Sequence, residues 1–90
     1  MNLKQGFAKA LRKARKAKGL SQEDFSDVSS RTYVSTLERG LYTPTLEKVE
    51  ALAKTIGVHP LTLVAMACLE ANHKIDLDKL IAVLRQEIQE

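Results

Sequence analysis

Tryptophan is absent from this 90-residue chain, and aromatic residues make up only 4% of it. A core must therefore be assembled from aliphatic side chains. A hydrophobic fraction of 44%, dominated by Leu, Ala, Val and Ile, points to a compact helical bundle. A single cysteine, Cys68, excludes a disulfide within the chain and lacks the Cys/His spacing of a zinc site, so neither staple nor metal is expected. That usage fits a reducing cytoplasm. Only two prolines are present, and no internal repeat, low-complexity tract or linker stands out, so the chain reads as one small domain with a helical tail. No apolar run reaches the roughly 18 to 20 residues that a membrane span needs. The longest, around Leu61 to Leu69, is short and is broken by Thr62. The segment Met1 to Leu20 is basic without a long apolar centre, which is not the pattern of a secretory signal.

Negative charge is also missing where positive charge is richest. Seven bases (Lys4, Lys9, Arg12, Lys13, Arg15, Lys16 and Lys18) precede Glu23, and no acid does. The rest of the chain holds seven bases and eleven acids, so the modest net charge of +3 hides a strong asymmetry. Such a distribution suits a polyanion approaching one side of the molecule.

The apolar spacing predicts six helical segments. Leu3, Phe7, Ala10 or Leu11 and Ala14 recur at helical spacing over Leu3 to Lys18, with bases on the remaining faces and Gly19 as terminator. Ser21 caps a second helix with Asp24 three residues on, an approximate capping box, and Phe25 and Val28 are its apolar contacts. Ser29 or Ser30 caps a third helix over Arg31 to Arg39 that stops at Gly40. Val34 and Leu37 face inward there, with Tyr33 beside them, which leaves Arg31, Thr32, Ser35 and Thr36 outward. A fourth helix follows Thr43-Pro44-Thr45, with a threonine cap, the stripe Leu46, Val49, Leu52, Ala53 and Ile56, and Gly57 as its stop. His59-Pro60 opens a fifth helix that ends at Asn72. Asp76 then caps a last helix, Ile75 can staple onto Leu80, and Leu77, Leu80, Ile81, Leu84 and Ile88 form one stripe.

Several of these pieces occur together in a specific order. Leu11-Arg12, Arg15, Gly19-Leu20-Ser21-Gln22-Glu23, Ser30 to Ser35, Leu37-Glu38-Arg39-Gly40, Pro44-Thr45-Leu46, Leu52-Ala53 and Ile56-Gly57-Val58 resemble the Xre-type helix-turn-helix family, which includes lambda-like phage repressors and Cro. The resemblance covers about Leu11 to Met66. It implies an all-α fold, a lambda-repressor-like five-helix bundle with an additional C-terminal helix, with the DNA-binding domain over 1–71 and a dimerising or lid helix over 72–90. The chain departs from the family in one place: it is shorter by a couple of residues between the second and third helices. That should shorten the second helix or change the angle between the two, and shift the register on DNA.

The resemblance implies a double-stranded DNA partner, read by the third helix in the major groove. Arg31 has a planar fork suited to guanine O6 and N7, and Thr32 and Thr36 match base-reading positions, with Ser35 beside them. Gln22 matches a position that contacts the backbone or an outer base, and Arg39, Thr43 and Thr45 lie where relatives touch the backbone. Ser21 points amide N–H groups where a phosphate could sit, Ser30 contacts one while capping its helix, and Tyr33 mostly packs, with its hydroxyl available to a phosphate. Arg15 matches a first-helix arginine that pairs with an acid, matched by Glu38, and that can turn toward a phosphate.

Relatives bind as two-fold dimers. The fifth helix is apolar nearly all round, more than one buried stripe requires, so its excess must be covered. The last helix is the evident cover, either folding back on its own chain or crossing to a partner. The favoured reading is a homodimer with Leu63, Met66, Leu77, Leu80, Ile81, Leu84 and Ile88 at the interface. The leading function is a cytoplasmic, dimeric repressor with no cofactor, either phage-type or a restriction-modification controller. The alternatives are an antitoxin that binds its operon DNA and a toxin protein, and an interaction module that has lost DNA binding. No enzyme is expected: His59 and His73 lack catalytic partners, Cys68 lies in an apolar run, and Glu23 to Asp27 have no second ligand cluster.

Overall fold

The computed structural model describes residues 1–89. The elements follow in the order α1 (Leu3–Ala17), a 3-10 helix (Gln22–Phe25), α2 (Arg31–Glu38), α3 (Leu46–Ile56), α4 (Pro60–Ala71) and α5 (Leu77–Gln89). Each boundary has a local cause. Asn2 and Gln5 exchange side-chain bonds with one another's backbone N–H groups at the start of α1, at 2.8 and 3.0 Å. Ser30 and Thr45 accept the N–H groups of Tyr33 and Lys48, both at 3.1 Å, and so begin α2 and α3. His59 begins α4 in a less usual way, its Nδ1 accepting the Leu61 N–H at 3.0 Å. Asp76 accepts the Lys79 N–H at 2.8 Å before α5. Gly40 has φ 73°. That left-handed turn ends α2 and lets the Leu41 N–H return to the Thr36 carbonyl at 3.1 Å.

The core is aliphatic around two phenylalanines. Leu11, Phe25, Val34, Leu37, Leu52 and Leu63 are its largest fully buried side chains. The closest helix pair is α1 against α4. Gly6 makes this possible, because a Cβ there would stand 2.3 Å from the Ala67 carbonyl oxygen and 3.1 Å from the Ala71 Cβ. Lys13 of α1 also donates to the Glu70 carboxylate of α4 at the edge of this seam. The Lys13 hydrogen bond, followed by the charges of Lys13, Lys9 and His73, outweighs desolvation and holds the Glu70 carboxyl below the usual carboxylate range.

One expectation is met and three are corrected. The second helix is a single 3-10 turn, the shortening that the reduced connection calls for. Leu3 and Leu46 lie at helix starts, outside the packed turns, and are exposed rather than core. Leu63 is fully buried inside the protomer, so it cannot meet a partner. Its face of α4 is turned into the bundle, and an all-round apolar helix gives no periodic signal of which face that is. The last helix, α5, packs beside α4 of its own chain and has no buried residue.

Candidate nucleic-acid interface

The geometry of α2 follows from what it buries. Val34 and Leu37 point into the core, so the opposite side of the helix is left to Arg31, Thr32, Ser35, Thr36 and Arg39. Arg31, Thr32 and Arg39 are exposed; Ser35 and Thr36 are half-buried. The Thr36 hydroxyl donates to the Tyr33 carbonyl at 2.6 Å, which leaves its methyl group and an acceptor lone pair for a ligand. Arg31 Nη1 donates to Glu23 Oε1 at 3.1 Å across the shortened connection. Both side chains of that pair are more than two-thirds exposed, so it is cheap to break.

A second ion pair holds the whole element in place. Arg15 Nε and Nη2 donate to the two Glu38 carboxylate oxygens at 2.7 and 2.9 Å, and Nη1 donates to the Leu20 carbonyl at 2.9 Å. This two-pronged contact ties α2 to α1 and to the start of the connection. The Glu38 hydrogen bonds, the largest influence, raise the Arg15 pKa above its ordinary value against the cost of desolvation. Gln22 adds a further donor to Glu38, at 3.2 Å.

These contacts revise three of the backbone-contact expectations. Arg15 is buried with all its nitrogens engaged inside the protein, so it acts as a strut rather than a phosphate ligand. Gln22 turns its amide inward to Glu38. Ser21 directs both its backbone N–H (2.7 Å) and its hydroxyl (3.2 Å) to Asp24 Oδ2, placing a carboxylate where a phosphate was expected. Tyr33 packs half-buried against the core, as its expected packing role requires. Thr43 and Thr45 lie exposed in the loop after α2, and the Thr45 oxygen caps α3. Ser30 caps α2 at its exposed N-terminal end.

One residue was missed. Lys48 of α3 donates to the Val28 carbonyl at 2.8 Å and stands 5.5 Å from the Tyr33 ring centroid. It supplies the donor that the abbreviated turn needs, and no local spacing in the chain announces that contact. Among the described residues, no group of three or more His, Cys, Asp or Glu side chains could hold a metal ion, and no single helix is long and apolar enough to cross a membrane.

Comparison with known proteins agrees with this geometry. The family model described as helix-turn-helix matches residues 11–63, more than half of the chain, from the middle of α1 into α4. No curated protein and no solved structure gives a significant match.

Proposed function

We propose, for a chain that belongs to the Xre/lambda-repressor-like helix-turn-helix family and is on that ground a DNA-binding regulator, that it is a dimeric repressor reading an inverted-repeat operator through α2. The observation that carries this reading is the outward face of α2. Two arginines, two threonines and a serine line the side turned away from the core, while the Arg15–Glu38 pair fixes the helix on its scaffold. Arg31 keeps Nε and Nη2 free beyond its single bond to Glu23, enough for two hydrogen bonds to a guanine edge. Thr32 and Thr36 offer methyl groups to thymine, and Ser35 a hydroxyl. Arg39, Thr43 and Thr45 serve the backbone past the end of the helix, and Ser30 serves it at the start.

Dimerisation is supported by the apolar face shared by α4 and α5. A groove of about 380 Å³ is lined by Leu61, Ala65, Leu77, Leu80, Ile81 and Leu84. Ile88, three-quarters exposed, continues the stripe, whereas Met66 is half-buried against the core of its own protomer. A second copy crossing here would cover both stripes and place two α2 helices on half-sites about one helical turn apart. The same uncovered α5 would equally serve an antitoxin that captures a toxin protein. A restriction-modification controller would use it as the repressor does, and all three belong in the cytoplasm.

The test is Arg31→Ala on the operator recovered by selection. The expected loss is roughly 1 to 3 kcal/mol with relaxed preference at one base pair per half-site. Unchanged base preference would remove Arg31, and with it this reading of α2.

A further inference from the structure

We infer that the outward face of α1 is a second DNA-backbone contact, engaging phosphates of the duplex that flanks each half-site. The inference rests on the recognition reading above. Lys9, Arg12, Lys13 and Lys16 stand at positions i, i+3, i+4 and i+7 of α1 and together line one shallow concavity of about 320 Å³. All four are exposed and lie opposite the buried side formed by Phe7, Leu11 and Ala14. Four like charges on one helical face repel one another. Only one of them is offset directly: Lys13 binds Glu70. Lys9 feels the same carboxylate at longer range, and Arg12 and Lys16 have no acidic partner within ion-pair distance among the described residues.

The stripe is joined to the recognition face. Lys9 lines a second concavity with Gln5, Glu38, Arg39 and Gly40, at the point where α2 ends. Glu38 is already occupied by Arg15, so the free charge along this route is positive. A cationic track therefore runs from Arg31 and Arg39 on α2, past Lys9, to Arg12 and Lys16. A duplex seated on α2 and curving toward the protein beyond the half-site would follow that track. The partner chemistry it fits is a regular array of phosphates, which needs no base contact and whose binding is driven by counterion release.

The experiment compares the full chain with R12Q/K16Q and with K54Q/K74Q, a variant of equal charge change at exposed sites outside α1 and α2. Each binds the selected operator on a duplex trimmed to the half-sites and on one extended by about ten base pairs on each side, one helical turn. Affinity is read across a salt series. The unmodified chain and K54Q/K74Q should bind the longer duplex more tightly and with a steeper salt dependence. For R12Q/K16Q that gain should vanish, with the slope on the long duplex reduced by about 0.9 per contact, or about 1.8 per protomer, while base preference is kept. Circular dichroism melts establish that both variants are folded. A gain retained in full by R12Q/K16Q, or lost equally in both variants, would overturn the inference and leave the stripe to an acidic protein or to net charge alone. Failure of the recognition reading has a different signature: the unmodified chain would then prefer no sequence on either duplex.

Discussion

Replacing Glu38 with alanine should destabilise the protein more than any exposed substitution on α2. The change strips two hydrogen bonds from Arg15 and one from Gln22, and leaves the guanidinium with the Leu20 carbonyl as its remaining protein acceptor. The Arg15 and Glu38 side chains are only 10% and 5% exposed, so water cannot simply take the place of the carboxylate. Removing one partner of a buried pair costs about 3 to 5 kcal/mol, and the lower end applies where one acceptor survives. For a domain of this size about 3 kcal/mol corresponds to a melting temperature lower by roughly 12 to 24 °C. Urea and thermal unfolding followed by circular dichroism measure it. The companion variant R15M/E38L should recover most of the stability, because apolar side chains of similar volume avoid the desolvation cost altogether. Its operator affinity should stay below that of the parent chain, since the two-pronged geometry that orients α2 is gone. A loss for E38A within about 0.5 kcal/mol, the range of ordinary surface substitutions, would refute the reasoning by making the pair a solvated one.

Other expectations follow from the helix seams. Gly6→Ala adds a methyl group against the Ala67 backbone, and overpacking of about 1 to 3 kcal/mol should exceed the gain in helix propensity of about 1 kcal/mol, so urea titration should find a net loss. Leu63→Ala should cost about 2 to 5 kcal/mol of protomer stability, being a core deletion. Leu84→Lys, on a helix with no buried residue, should instead leave protomer packing intact and convert the sedimenting species from dimer to monomer. A monomeric parent chain would remove the dimer from the account. The Glu70 carboxyl is held below its unfolded value of about 4.3, so its contribution is present above that pH and is lost as pH falls through the folded value. Melting curves between about pH 6 and pH 3 should be less acid-sensitive in Glu70→Gln than in the parent chain.

What could be read from the residues was mostly what is local. Ser30, Thr45 and Asp76 cap the helices at which they were expected, and Gly40 turns left-handed where α2 stops, because these effects depend on a few neighbouring residues. The Arg15–Glu38 pair was legible through the family pattern alone, since the two residues lie far apart in the chain. The Ser21–Asp24 capping box was legible as the other local effects were, whereas the inward turn of Gln22 was not. Its amide competes between a protein acceptor and solvent, and the winner depends on where Glu38, sixteen residues on, stands in space. Lys48 escaped notice for the same reason, as its partners Val28 and Tyr33 belong to the other side of the shortened turn. Leu46 shows the limit of periodicity: it has the right phase for the α3 stripe but sits at the first helical position, beyond the reach of the core. The uniform apolarity of α4 hid which of its faces Leu63 occupies.

Selection from a sheared library of the host genome, with purified protein at physiological salt and sequencing of what is retained, shows whether the chain reads DNA sequence at all. Enrichment of an inverted repeat whose half-sites lie about one helical turn apart is the predicted result. Retention without any common sequence, disappearing as salt is raised, would leave only phosphate attraction and would contradict a sequence-reading regulator.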